Sequence, residues 1–532
     1  MPTYRVYLRR PSTLPPVWDW SETIVRNNSD AALRDSYQHW VNSNPTPAVP
    51  PLSQCGSKVE ARNVRMLAAA ANDSSITPAQ QAFIDSIQKK VSDFLSTQLD
   101  GTFQVLSYPS GFNYGITYGN NAYYNKATLQ DIDTLLGVSD SGELELTGAG
   151  FSGLYAQILP AVTFNFSQAD IIAMNAQDSA ASAQVASVLT EFENAGGVYT
   201  NPLPFGGKLQ DVFNQLNKQF GSLSNIPNTM NALRNAIAAY QSAAGNSYAQ
   251  HNRYYQATAY LNAALANTVT PNTANGGMQT GASSWYVGYT PGKLPTANQL
   301  IGGLSTTGNA VTVDISLSNF SSTSSKMSIS GGVGFSLPIA DILNISIGAS
   351  ASYSVSKYSS SATNISMNIN YPGVTLFPAT PSILSPDNST GWYANDILTE
   401  VVSNTGKGAT GFALQGSEFN VNELFGTGNT FSRLKTFVIS QQPTIKMVFT
   451  GADTSSIVSD LQVNASVKLD LFGLFTLGSV SGSYNVQNVD THSVAGAVVV
   501  TFGPPQVSGT IPLQQQVCYV MGGVASYPPN NI

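Results

Sequence analysis

Residues Val311–Ser318 read VTVDISLS, with Val311, Val313, Ile315 and Leu317 alternating with Thr312, Asp314, Ser316 and Ser318. Successive side chains of a strand point to opposite faces, so this period of two describes a half-buried β-strand. The rule persists downstream. Met327, Ile329, Val333, Phe335 and Leu337 alternate with small or polar residues, as do Leu343, Ile345, Ile347, Ala349, Ala351, Tyr353 and Val355, and then Ile365, Met367, Ile369 and Tyr371. The opposite face is Ser, Asn and Gly rather than Lys and Glu. The pattern returns between Thr444 and Pro505. GFSLPIADILNISIGASASYSV (334–355) and KLDLFGLFTLGSVSGSYNV (468–486) both hold an alternating strand, a short apolar turn and a strand ending small-Ser-Tyr-polar-Val. Each copy closes on a Pro/Gly stop, YPGV and GPPQV. The expectation is an internal duplication of a four-strand antiparallel unit with one strand order, copies at 311–376 and 444–510.

Upstream the period is helical. Thr77 as N-cap and Pro78 at the first helical position precede Phe83, Ile84, Ile87, Val91, Phe94 and Leu95 on one face, ending near Gly101. A block from 167 to 266 follows: an Ala-rich segment from Ser167 to Ala195 stopped by Gly196 and Gly197, one with Leu209, Val212, Phe213 and Leu216, one with Leu233, Ile237 and Tyr240, and one with Tyr248, Tyr255 and Leu261. The fold class expected is α+β: a mainly helical N-terminal half and a sandwich-like antiparallel C-terminal half. The divisions are a Pro-rich segment 1–76, a helical domain 77–266, a linker 267–310, the two copies, an α/β insert 377–443 and a tail 511–532. The insert carries one amphipathic helix (Trp392, Ile397, Leu398, Val401, Val402) and strands near 411–420 and 434–440.

Composition narrows function. Of 532 residues only 10% are charged, against about 25% in ordinary soluble proteins, while 42% are hydrophobic. The net charge of −7, with Arg5, Arg9 and Arg10 as the one basic cluster, argues against holding nucleic acid. Cys55 and Cys518 are too few for a disulfide framework. The N-terminus has cations but no apolar h-region, and no run of about 18 apolar residues occurs. Low charge, 24 Tyr and abundant Ser, Thr, Asn and Gly are extracellular in character, so the expected location is extracellular or released, without a classical signal peptide. Eight Asn-x-Ser/Thr sequons, Asn165, Asn344 and Asn464 among them, are what so Asn- and Ser-rich a chain carries by composition.

Chemical motifs are weak. Gly148-Ala-Gly150-Phe-Ser-Gly153 has the spacing of a dinucleotide loop but no βαβ series after it, and reads as a glycine turn. GYTPGKLP from Gly288 is one residue short of a phosphate loop and has Leu294 where a magnesium-binding hydroxyl belongs. His39, His251 and His492 are scattered, as expected of satisfied lone histidines. The pairs Asp131/Asp133 and Glu143/Glu145 match a glycosidase couple in number, and solvated surface carboxylates explain them better. No catalytic residue, metal or cofactor is expected.

The anomalous feature is two apolar turns, Leu337, Ile339, Ile342 and Leu343 in copy one and Leu471, Phe472, Leu474 and Phe475 in copy two. Turns face water and normally carry Gly, Asn, Asp or Ser. These must instead bury themselves against the body, another subunit or a membrane. Amphipathic hairpins with Ser, Thr and Gly on one face and a greasy tip resemble, over about 130 residues, the membrane-spanning hairpins of β-pore-forming toxins, although the perforin-type Tyr-Gly-Thr-His pattern is absent. That resemblance implies a non-enzymatic membrane-active protein whose partners are lipid or a cell-surface receptor and further copies of itself. A self-assembling tube, capsid or surface layer, or a glycan-binding or glycan-cleaving protein, are the alternative readings.

Overall fold

The computed structural model describes residues 4–6, 24–26, 78–95, 98–113, 126–138, 144–198, 207–290, 294–306, 308–318, 324–329, 335–338, 343–347, 351–354, 364–416, 418–451, 458–459, 461, 463, 466–471, 475–477, 484–491, 496–504 and 517–530. The chain divides into a unit Met1–Asn63 and a unit Val64–Ile532. In the first, β1 (Tyr4–Val6) pairs antiparallel with β2 (Ile24–Arg26).

The second unit opens with α1 (Pro78–Leu95), β3 (Phe103–Asn113), α2 (Lys126–Ile132), β4 (Thr134–Val138), β5 (Leu144–Gly150), α3 (Phe151–Ile158) and β6 (Val162–Asn165). Five helices follow: α4 (Gln168–Ala180), α5 (Ser182–Asn194), α6 (Gly207–Phe220), α7 (Asn231–Ala244) and α8 (Asn246–Val269). The segment expected to be one helix from Ser167 breaks at Ala181, which caps α4 with φ −91° and ψ 6°. The Ser167 hydroxyl accepts from the Asp170 N–H to start it. Val188, Phe192, Leu209, Val212, Phe213, Leu216, Leu233, Ile237 and Tyr240 form a core of their own. α8 runs from that bundle to the body, where Tyr254, Ala257 and Leu261 pack with Phe164 and Phe166. Residues 267–310, expected as a linker, carry the hairpin β7 (Met278–Gly281) and β8 (Ser284–Tyr286) and then α9 (Ala297–Leu304), begun by a reciprocal cap between Thr296 and Gln299.

The C-terminal half is antiparallel β, as expected: β9 (Ala310–Ser318), β10 (Ser324–Ile329), β11 (Phe335–Pro338), β12 (Leu343–Ile347), β13 (Ala351–Ser354), β14 (Asn364–Pro372) and β15 (Thr375–Pro378); α10 (Asn395–Asn404), β16 (Gly411–Leu414) and β17 (Arg433–Ser440); then β18 (Thr444–Thr450), β19 (Ser466–Leu471), β20 (Phe475–Leu477), β21 (Tyr484–Asp490), β22 (Ala497–Gly503) and β23 (Val517–Ser526). One ladder runs β11–β10–β9–β14–β18–β22–β21–β19–β12–β13. Its apolar face is the one the alternation predicts. Val311, Val313, Ile315, Leu317, Ile365, Met367, Ile369, Tyr371, Ile445, Met447 and Phe449 are all buried in one core with Phe83, Ile84, Ile87, Val91 and Leu95 of α1. Phe94, expected on that helix face, is 37% exposed. β10 covers the outer edge of β9 only from Ile315 on, and the Lys90 ammonium caps the bare Thr312 carbonyl at 2.6 Å.

The two copies share their outer pairing, first strand against last: β9 with β14 and β18 with β22. The expected common strand order does not extend further. Copy one grows beyond β9 through β10 and β11, and copy two beyond β22 through β21 and β19. The cause is the join. Pairing β14 with β18 consumes the last strand's edge in copy one and the first strand's edge in copy two, so each copy can extend only on its other side.

The ladder is also curled. β11 and β12 stand near its opposite ends, yet only residues 339–342 connect them. Five Cα–Cα steps reach at most about 19 Å, whereas the eight strand spacings from β11 to β12 laid flat would span roughly 38 Å. A second, small ring closes through β3–β5–β4–β17–β23, with β15 added on β17. Ile87 is 2% exposed. Ile87→Ala should lower the unfolding free energy by about 2–5 kcal/mol in urea titrations, and Phe94→Ala by much less.

Candidate functional site

The densest chemistry among the described residues lies where α3 leaves β5. Gly148, at φ +75°, turns the chain, and Gly150 passes so close to Asp133 that a Cβ there would sit 3.0 Å from Oδ2. Asp133 joins α2 to β4, and its carbonyl accepts the Phe151 N–H at 2.5 Å. Its carboxylate takes the start of α3. The Ser152 N–H donates to Oδ1 at 3.0 Å and the Ser152 hydroxyl to Oδ2 at 2.6 Å. The Tyr286 hydroxyl donates to Oδ2 at 3.0 Å and Tyr289 to Oδ1 at 3.5 Å. The glycine turn is thus borne out as a turn, and its helix N-terminus is spent on an internal carboxylate.

Asp133 is 1% exposed, which corrects the expectation of a solvated surface acid. Burial pushes its pKa up to about 6, against the pull of the Ser152 and Tyr286 hydrogen bonds and the Arg433 charge. Arg433, first residue of β17, is also 1% exposed. Its Nη2 donates to the Ala379 carbonyl and its Cζ lies 5.6 Å from the centre of the Phe151 ring. Nε and Nη1 have no partner among the described residues. Burial lowers its pKa, opposed by the Tyr289 and Asp133 charges. Aromatic rings wall the site: Phe151 stacks on Phe431 at 4.4 Å, Tyr155 meets Trp392 at 5.6 Å, and the Trp392 indole N–H donates to the Gly288 carbonyl at 2.6 Å. At 1% exposure the carboxylate is closed off from solvent in this conformation.

A second polar cluster ties α4 to α8. Asp178 accepts from Ser247 on one oxygen and meets His251 Nε2 at 2.9 Å on the other. The hydroxyl donates to the carboxylate rather than to the imidazole, so no nucleophile–base relay exists. His251 is 4% exposed, and its Nδ1 has no partner among the described residues. His39 and His492 lie outside the described residues, as does Cys55, while Cys518 is buried. No group of three or more His, Cys, Asp or Glu is arranged for a metal among the described residues, and no helix among them is long and apolar enough to cross a membrane.

The apolar turns are brought together at the backbone level. Leu343 stands opposite Leu471, Leu471 opposite Phe475, and Phe475 beside Tyr108 of β3. In copy two β19 and β20 pair across residues 472–474, as a hairpin does. Copy one differs from the expected hairpin: Leu337 pairs within β10–β11, and β12 pairs with β13 and β19. Ile339, Ile342, Phe472 and Leu474 lie outside the described residues.

No protein-family model, no curated protein and no solved structure matches this chain. Its class is therefore read from its own fold, an α+β chain built on a curled antiparallel ladder.

Asp178 carries a testable charge. Burial opposes its ionisation, but the His251 and Ser247 hydrogen bonds outweigh burial and hold its pKa below the ordinary 3.8. A depressed carboxylate stabilises the fold above its unfolded value, and that contribution is lost as pH falls through the folded value. The urea-midpoint difference between wild type and Asp178→Asn should therefore shrink as pH falls below about 4.

Proposed function

We propose that the protein is a non-enzymatic, membrane-active binding protein of the pore-forming type, which meets lipid or a cell-surface receptor through its paired apolar turns and works as a homo-oligomer outside the cell that makes it. The observation that carries this reading is the register Leu343–Leu471–Phe475, because it joins two apolar turns about 130 residues apart into one strand end. Transfer of one large apolar side chain out of water is worth about 1.5–3 kcal/mol, so the four of the second turn supply several kcal/mol of attachment before ordering costs. The apolar faces of β9, β14 and β18 are already packed against α1. On this reading the turns, rather than these packed strand faces, are what would meet a membrane.

Self-assembly into a tube, capsid or surface layer is the second reading. The polar side of β14 bears on it: Asn364, Ser366, Asn368 and Asn370 are uncharged, and the charges beside them, Asp314 and Lys446, are of opposite sign. A glycan site draws less support: the 480 Å³ groove on that side, lined by Asp314, Ser316, Ser366, Asn368 and Lys446, holds no aromatic ring for a sugar to stack on.

The test is the double change Phe472→Asp and Phe475→Asp, read by circular dichroism, vesicle leakage and oligomer size together. A folded variant that no longer leaks vesicles supports the membrane reading, because an unpaired charge cannot follow the turn into an apolar phase. A folded variant that keeps leakage but loses assembly moves the turn to a subunit contact. Failure to fold makes it core, and a folded variant unchanged in both measurements ends the proposal.

A further inference from the structure

We infer that the outward face of β9, β14 and β18 is a docking surface for a second copy of this chain: two copies meet about a two-fold axis along β14, with Asp314 of each against Lys446 of the other. This names the contact of the homo-oligomer proposed above and rests on that part of the reading, not on the apolar turns.

The register decides which residues can meet. Asn368 stands opposite Asp314 of β9 and opposite Lys446 of β18, so the three form one row across the sheet with the amide between the charges. A two-fold axis laid along β14, between two such faces, returns β14 to β14 and carries β9 onto β18 within the same row. It also keeps the strands of the two faces aligned, as packed sheets are. An acid on β9 then meets a base on β18 twice, once on each side of the axis. The column on the axis has a different requirement, because each of its residues approaches its own copy. A charge there would repel itself, whereas Asn and Ser carry both a donor and an acceptor. Asn364, Ser366, Asn368 and Asn370 fill that column. Asp314 and Lys446 are the charged residues among the outward positions of the three strands, and both stand off the axis in the row where symmetry pairs them.

Both charges are open to a partner. The Asp314 side chain is 61% exposed; its Oδ1 accepts from the Asn368 amide at 2.7 Å, and Lys90 comes only to 3.9 Å from its Oδ2. Lys446 is exposed, and its ammonium makes no ion pair or hydrogen bond among the described residues. The 480 Å³ groove that these residues line gives the opposing side chains room to enter. The patch stops at β22, where Ala497 and Val499 on the same side are buried. Three strands of seven residues present roughly 350 Å² per copy, so the contact covers about 700 Å² in all, below the roughly 1,200 Å² of a stable complex. Association through this face is therefore concentration-dependent and weakened by salt.

Sedimentation velocity of the whole chain, across a range of concentrations at low and high salt, tests the contact. The wild type should associate as concentration rises, and less so in high salt. Asp314→Lys and Lys446→Asp each set like charges against each other at both symmetric contacts, and each should weaken association by about tenfold. The double exchange rebuilds both pairs with their signs reversed and should return association close to that of the wild type. Unrelated surface effects of the two changes would add instead of cancelling. A wild type that stays monomeric throughout, or a double exchange no better than the worse single one, overturns the interface. Association unchanged in every variant also overturns it, and leaves the homo-oligomer standing through another face. Should an exchange fail to fold by circular dichroism, Asp314→Asn and Lys446→Gln replace the swaps. The second neutralisation should then cost little once the first is made, and fully additive losses overturn the contact.

Discussion

Ile365 stands opposite Phe449, Met367 opposite Met447 and Ile369 opposite Ile445, and on this pairing of β14 with β18 the rest of the sheet depends. It is the seam between the two copies. All six of these side chains are buried on one face, so a slip of one residue would turn every one of them to water. The register is fixed by that penalty rather than by the polar residues between. The same pairing consumes one edge of each copy, sends their remaining strands outward in opposite directions, and leaves β11 and β12 near the two ends of a ladder that a short connection forces to curl.

The curl in turn explains α1. A curled sheet with an apolar inner face needs something to fill it, and Phe83, Ile87 and Val91 do so, each at 2% exposure or less. Filling by a helix suits a low-charge chain. The outward side can then be Ser, Asn and Thr, which hydrogen-bond to each other across strands, as the Thr312 hydroxyl does to Asn370 Oδ1 at 3.3 Å. Few lysines guard the sheet edges, and the one on α1 that does, Lys90, is held to the backbone of β9.

Much of this was legible because it is periodic. Alternation marks a strand whatever it pairs with, and Pro78 followed by apolar residues three and four apart marks α1. The strand order was not legible. Two spans with the same local pattern must differ once they share a sheet, and the sharing is a long-range fact. The charged hub was hidden for the same reason. Asp131 and Asp133, two residues apart in a charged-looking stretch, resemble a solvated pair until Tyr286 and Arg433, about 150 and 300 residues away, close over one of them. The available signal was Arg433 itself: a lone arginine opening the apolar strand RLKTFVIS has to be buried with a countercharge. The opposite error affects copy one's turn, where an apolar Leu-Pro-Ile run looks like a hairpin tip but links strands that pair elsewhere.

The hub and the apolar turns are not independent parts of the molecule, because β3 serves both. At Leu106 it pairs with Leu144 of β5, the strand that runs into α3 beside Asp133; at Tyr108, two residues on, it pairs with Phe475 beside the second turn. Among the described residues each contact is a single parallel bridge, whereas β3 pairs with β23 along most of its length. The structural connection between the buried charge and the second apolar turn therefore lies in the backbone of one strand.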